Sequence, residues 1–329
     1  TMGDNKNGTE MLTDAEAELY DRQIRLWGLE SQKRLRLARV LLIGMNGFVA
    51  EVAKNIILAG VKSVTFLDHR NVDTGDSCSQ FFVTKNDIGT NRATASVSRA
   101  QNLNPMVKVS ADEDHVDSKN DEYFKDFDVI CASECTITQL KKLNDICRNY
   151  GVKFFAGDVW GTFGYTFSDL IIHEYVMEVV QTKKTKESGS DKPKVESTTV
   201  NVRNEETFVP IHKILDATQL PKDTETYYLF QVLLNYREKH RRDPLPNERD
   251  CNVLLSEARA IIEKNNLGDK INYLLEGDLY AQTSPTCAII GGIMGQEIIK
   301  TVSQKEPPHN NLFLFNPHTM CGKVVQLGY

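Results

Sequence analysis

The sequence predicts a doubly wound α/β fold: a mostly parallel, Rossmann-like sheet with helices on both faces and a small helical insertion. Three observations carry this. In RVLLIGMNGFVAEVAKNIILAG, Arg39 to Gly60, the apolar run Val40 to Ile43 reads as a strand buried on both faces. Gly44 and Gly47 then turn the chain, Val49, Val52, Ile56 and Ala59 recur at helical spacing, and Gly60 is placed to cap the helix. Second, the strand Val64 to Leu67 ends in Asp68, roughly twenty residues beyond the first glycine, where a sheet of this kind places an acid for a ribose hydroxyl. Third, strands and helices alternate from there to Ala156, the pattern of a parallel sheet.

The elements follow in order. Residues 1–38 form an N-terminal helical arm whose first residues, up to about Leu12, are polar. Thr13 opens a capping box with Glu16. One helix is expected through LYDRQIRLWG to Gly28, with Leu19, Ile24, Leu26 and Trp27 as apolar contacts and Arg22 and Arg25 three apart on one face. A short helix from Glu30 to Leu37 leads into the core, residues 39–175. There Asn91 to Leu103 reads as a helix, Val107 to Val109 and Phe127 to Ala132 as strands, Thr136 to Tyr150 as a helix and Val152 to Ala156 as a strand. WGTFGYTFSDLIIHEYV, from Trp160, has the look of paired strands with aromatic cross-strand contacts.

Residues 176–207 are expected to be a disordered loop, because Gln181 to Glu206 is almost free of large apolar residues. Its KKTK, from Lys183, has the composition of a nuclear-import element, although a solvated charge run is the plainer reading. Residues 208–284 form the helical insertion, with helices at Thr224 to Lys239 and Asn252 to Lys264. Residues 285–329 return to the core. Ala288 to Val302 is a buried helix in which Gly291, Gly292 and Gly295 allow close backbone approach, and Leu312 to Phe315 and Val324 to Leu327 are closing strands.

Composition narrows the function. The 329 residues are 40% hydrophobic and 26% charged, ordinary for a globular chain with a sizeable core. A net charge of −6 argues against a general nucleic-acid binder, and no apolar run is long enough to span a bilayer. Seven cysteines, scattered and without zinc spacing, point to reduced thiols. The glycine turn is damaged as a dinucleotide site. Asn46 stands at the second glycine position and Val49 at the last, so the fold signal outweighs the ligand signal and the pocket of Gly44, Gly47 and Asp68 reads as vestigial.

YDRQIRLWG ahead of the sheet, Asp68, QNLNP in the next helix and GGIMGQEIIK near the end resemble the adenylating enzymes that activate ubiquitin and its relatives. The match covers nearly the whole chain outside 181–206 and implies a ThiF/MoeB-type adenylation fold, with the insertion a remnant of a catalytic-cysteine half domain. The length, the insertion and PPHNN look most like the smaller, non-catalytic subunits of SUMO-activating heterodimers. The resemblance therefore implies a larger catalytic partner subunit that binds ATP and Mg2+, SUMO as the modifier, and nuclear localisation. It further implies that Arg22, in the YDRQ arm, crosses to the ATP phosphates held by that partner, with Gln23 and Arg25 secondary.

Against the family pattern, Gly44-Met45-Asn46-Gly47-Phe48-Val49 lacks two of the glycines of Gly-x-Gly-Gly-x-Gly. Where active members carry Ser-Asn-Leu-x-Arg-Gln-Phe, the chain has Gly75-Asp76-Ser77-Cys78-Ser79-Gln80-Phe81. Asp76 there repels phosphate and Ser79 replaces a cation. Arg92 stands in place of a lysine. Ser133-Glu134-Cys135 follows the strand where a magnesium-binding Asp-Asn pair belongs, leaving Glu134 as a lone candidate metal ligand. Cys135 and Cys287 read as buried, inert thiols. Three alternatives stand beside this reading: a self-sufficient homodimeric adenylyltransferase of the sulfur-carrier type, a nicotinamide-dependent oxidoreductase using Asp68, and the equivalent subunit for another ubiquitin-like modifier.

Overall fold

The computed structural model describes residues 12–185 and 194–329. An arm of three short helices, α1 (Asp14–Leu19), α2 (Asp21–Trp27) and α3 (Leu29–Leu37), precedes β1 (Arg39–Ile43), α4 (Gly47–Ala59) and β2 (Ser63–Leu67). Then come α5 (Arg92–Gln101), β3 (Lys108–Asp112), α6 (Asp121–Phe124), β4 (Val129–Ala132), α7 (Ile137–Tyr150), β5 (Lys153–Trp160), β6 (Phe163–Asp169), β7 (Ile172–Thr185) and β8 (Lys194–Thr207). The insertion holds α8 (Ile211–Leu215), α9 (Thr226–His240), α10 (Val253–Lys264) and α11 (Asn272–Leu275). α12 (Ser284–Ser303), β9 (Leu312–Asn316) and β10 (Cys321–Val325) close the chain.

Eight strands form the central sheet in the order β10-β9-β6-β5-β4-β1-β2-β3. The five from β5 to β3 are parallel, and β6, β9 and β10 join antiparallel. The apolar run of β1 divides between two cores with the two-residue period of a strand. Val40 and Leu42 face one layer, with Phe48 and Ile56 of α4 and Met294 of α12; Leu41 and Ile43 face the other, with Leu140 of α7 and Phe230 of α9. α4 and α12 approach closely at two glycines. A Cβ on Gly291 would lie 2.5 Å from Glu51 Cβ, and one on Gly295 2.8 Å from Asn55 Cβ. Gly292, expected to share that role, faces open space instead.

The expected disordered loop at 176–207 is corrected over its described residues, 176–185 and 194–207. β7 and β8 pair antiparallel from Ile172↔Thr207 to Thr185↔Lys194. Each strand pairs its inner edge with the other and, beyond the base, turns its outer edge to solvent, and the ribbon is rich in β-branched residues such as Val179, Val180, Thr199 and Val200, so it forms with little apolar burial. Its base is tied to the core: Val176 N–H donates to Gln304 O at 2.9 Å, and Glu306 N–H to Val176 O at 3.0 Å. Most of KKTK and the polar residues before Leu12 lie outside the described residues or their described side chains.

The arm also departs from expectation. The Thr13–Glu16 capping box is present, but the helix breaks at Tyr20 (φ −102°, ψ 13°). Tyr20 turns inward to pack on Gly60, where a Cβ would meet its ring at 2.5 Å. Leu19 and Leu26, expected to supply apolar contacts, are exposed.

Candidate functional site

The arm is moored chiefly to the carboxyl end of α4, whose last carbonyls lack helical partners, and α3 also reaches the end of α12, where Arg34 Nη1 donates to Ser303 O at 2.8 Å. Asn104 Nδ2 donates to Ile57 O at 2.9 Å, Gln23 Nε2 to Leu58 O at 2.9 Å and Gln32 Nε2 to Ala59 O at 2.9 Å. Asn104 Nδ2 also donates to the Tyr20 hydroxyl at 2.8 Å, and Trp27 Nε1 to Gln32 Oε1 at 3.1 Å. The two motifs YDRQIRLWG and QNLNP are thus one docking device: Tyr20, Gln23 and Trp27 hold α2 in place. Arg25 is paired with Asp21 at 3.0 Å. Arg22 is exposed and, among the described residues, has no hydrogen-bond or ion-pair partner. A permanent cation therefore projects from a fixed helix.

At the carboxyl edge of the sheet, where folds of this kind hold ligands, the polar groups around the glycine turn are engaged from within. Four of the amides that a phosphate-binding turn would direct at its ligand have internal acceptors. Met45 N–H donates to Asp68 Oδ2 at 2.8 Å, Asn46 N–H to Gly44 O at 2.9 Å, Gly47 N–H to Gln282 Oε1 at 2.9 Å and Val49 N–H to Asn46 Oδ1 at 2.9 Å. Asn46 is the N-cap of α4, and its Nδ2 donates to Ser133 Oγ at 3.0 Å. Ser79 occupies the space over Gly47, where a Cβ would lie 2.1 Å from its Oγ. Gly44 lies against Ser133 O, with φ +84°.

Asp68 is likewise engaged. Arg92 Nε donates to its Oδ2 at 2.8 Å and the Arg70 amide to its Oδ1 at 2.9 Å. The buried Arg92 guanidinium also meets Asp76 Oδ1 at 3.3 Å and Glu134 Oε2, and Arg70 meets Glu134 Oε2 at 3.0 Å. Asp76, read from sequence as a phosphate repellent, is thus a partner of Arg92. Burial works to raise the Glu134 carboxyl, but the Arg92 and Arg70 guanidiniums outweigh it and hold the group well below the usual carboxylate range. Glu134 sits between arginines, and among the described residues no three His, Cys, Asp or Glu side chains gather as a metal site. Two spaces remain: about 30 Å³ between Gly44, Asp68 and the tilted His69 and His115 rings, and about 330 Å³ outside Asn46, Ser79, Arg92 and Glu134. Small-molecule pockets usually offer about 300 Å³ or more, a size that the inner space beside Asp68 does not reach.

Cys135 follows β4 and is buried; its thiol is pushed up to about 12, chiefly by desolvation. Cys287 is pushed up to about 12 for the same reason. Both are poor nucleophiles.

Sequence reasoning missed one set of residues. Arg237, on α9 and 3% exposed, reaches Asp158 on β5 at 2.9 Å and Cys135 O at 3.2 Å. It grips Asp243 with two bonds, Nε to Oδ1 at 2.7 Å and Nη2 to Oδ2 at 2.9 Å. The one visible signal was Asp158, a charge inside the apolar strand FFAGDVW. A buried carboxylate needs a partner, but nothing local in the sequence names a residue so far along the chain.

Comparison with known proteins agrees with this architecture. Residues 20–328 match the model of the ThiF family. The chain is 40% identical to SUMO-activating enzyme subunit 1 of Xenopus tropicalis, covering 97% of each chain, and 41% identical to that of Homo sapiens, covering 96% of each. The Danio rerio protein of the same name is 40% identical over 93% of each. Among solved structures, PaaA aligns with a TM-score of 0.60 at 14% identity, over 100% of this chain and 78% of that one. Escherichia coli MccB, solved with MccA-N7isoASN, aligns with a TM-score of 0.55 at 11% identity, over 94% and 72%. These two speak to the fold alone. The chain belongs to the ThiF family and, within it, to the group formed by the SUMO-activating enzyme subunit 1 proteins.

Proposed function

We propose that this chain is the non-catalytic subunit of a heterodimer that activates SUMO, and that it carries Arg22 to ATP and Mg2+ held by a larger, catalytic partner subunit. The single observation behind this is an asymmetry. Around the glycine turn Asp68, Asp76, Arg92 and Glu134 pair with one another, whereas the arm holds Arg22 outward without a hydrogen-bond or ion-pair partner among the described residues.

In the proposed reaction a C-terminal carboxylate oxygen of SUMO attacks the α-phosphorus of ATP. The bond to the β-phosphate breaks and pyrophosphate leaves with growing negative charge. Arg22 is permanently cationic and offers a planar fork of donors suited to phosphate oxygens, as an arginine supplied in trans does in phosphoryl transfer. Tyr20, Gln23 and Trp27 fix the helix so that the cation is placed before the charge develops. The crevice residues of this chain do not fit a nucleotide, since Asp68, the turn amides and Glu134 are already bonded, so no step is assigned to them. The homodimeric and nicotinamide readings need Asp68 and the turn amides free, and these bonds speak against them.

Exchange of pyrophosphate into ATP in the presence of SUMO tests the proposal. The chain alone is expected to show none, and exchange is expected once the larger subunit is added. Exchange by the chain alone overturns it. Nuclear residence belongs to the same proposal, and imaging of the tagged chain in cells tests that part.

A further inference from the structure

Arg237 is used by nothing so far described, yet its side chain joins three separate parts of the molecule. Asp158 belongs to the sheet, Cys135 to the turn after β4, and Asp243 to the segment that follows α9. Four of the five guanidinium N–H donors are engaged, and the guanidinium carbon lies 4.8 Å from the centre of the Trp160 ring. Asp158 is equally saturated. It accepts from Ser133 Oγ at 3.0 Å, Glu134 N–H at 2.8 Å, Tyr165 Oη at 3.0 Å and Arg237.

The segment gripped through Asp243 runs over the carboxyl edge of the sheet. Arg241, Arg242, Pro244 and Leu245 form the outer wall of a cleft of about 330 Å³ whose inner wall includes Ser79 and Arg92. A second clamp stiffens this segment: Arg242 meets Glu248 with bonds of 2.8 and 2.7 Å. Its far end is tied to the residues before α12, Arg249 to Asp278 at 2.8 Å.

We propose that Arg237 is a latch: it holds residues 241–251 shut over the sheet edge, and through the Cys135 carbonyl it seals the turn after β4 from solvent. A bidentate arginine–carboxylate pair suits this, because it fixes direction as well as distance. Removing the arginine leaves Asp158 buried and without its cation, and the cheapest relief is for the segment to lift and admit water.

Cys135 reports on that opening. All seven cysteines are free, with Cys78, Cys251 and Cys321 exposed and Cys131, Cys135, Cys147 and Cys287 buried. The full chain, with the three exposed cysteines replaced by serine, is to be labelled with N-ethylmaleimide and each buried thiol followed by mass spectrometry. Arg237→Met is expected to speed labelling at Cys135 by about tenfold or more, the change that 1.4 kcal/mol of opening energy brings. Cys131, Cys147 and Cys287 are expected to stay protected. Asp243→Asn, which loosens only the outer anchor, should act in the same direction with a smaller increase. Unchanged labelling of Cys135 in both variants overturns the latch. So does parallel exposure of all four thiols, because the residue is then a general support of the fold.

Discussion

Arg92 donates through Nε to Asp68 Oδ2 at 2.8 Å, and that bond gives the acid at the end of β2 a partner within its own chain. The same guanidinium meets Asp76 and Glu134, so one cation is shared by three carboxylates, with Arg70 adding a second at Glu134. Arg92→Met strands those carboxylates. A loss of about 3–5 kcal/mol is expected, the usual cost of breaking a buried pair from one side. Urea denaturation of the isolated chain measures it. Adding Asp68→Asn and Glu134→Gln to Arg92→Met should recover part of the loss, because the uncompensated charge is then gone.

Asn104 serves the arm and α4 with one amide group. Asn104→Ala removes its bonds to Tyr20 and to Ile57 O, at an expected cost of about 1–3 kcal/mol. Hydrogen exchange is expected to quicken over residues 14–27 and to stay unchanged in β1 and β4. Equal quickening across the sheet contradicts a docking role.

The two glycines Gly291 and Gly292 should respond in opposite ways although they are neighbours. Gly291→Ala drives a methyl into Glu51 and the Phe48 carbonyl and should cost about 1–3 kcal/mol as overpacking. Gly292→Ala meets nothing within 4 Å and should stabilise the helix by about 0.5–1 kcal/mol. Thermal melts of the two variants decide this.

His173 is buried at the start of β7, its Nε2 without a partner among the described residues, and desolvation with Lys153 nearby pushes its pKa down to about 4. The unfolded chain takes up this proton near pH 6.5, whereas the folded chain does so only near 4. The unfolded state therefore binds more protons between those values, and stability falls as pH drops through that window. His173→Gln is expected to flatten the dependence of the urea midpoint between pH 6.5 and 4.

The sheet was legible because its central strands must be buried on both faces, and Val40 to Ile43 advertises that with four apolar residues in a row. The capping chemistry was equally local: Thr13 with Glu16, and Gly60 after α4, can each be read within one turn. The ribbon β7–β8 was missed because counting large apolar residues measures core formation, and a hairpin anchored at its base needs backbone pairing more than a core. The break at Tyr20 was missed because the groups its side chain meets, Asn104 and Gly60, lie far along the chain. At the site, the sequence showed that Asn46, Val49, Asp76 and Ser79 depart from a working pocket. It did not show that Arg92, Arg70 and Arg237 gather there, since the bonds of the first two to Glu134 and of Arg237 to Asp158 join residues distant along the chain.

The central claim is that Arg22 acts outside its own fold. The most direct measurement is the rate of SUMO-dependent ATP–pyrophosphate exchange by the heterodimer carrying Arg22→Ala, with assembly checked by size-exclusion chromatography. A slowing of about 10²- to 10³-fold with assembly intact is predicted, the effect of losing one preorganised contact to developing charge. An unchanged rate from an intact heterodimer contradicts the account.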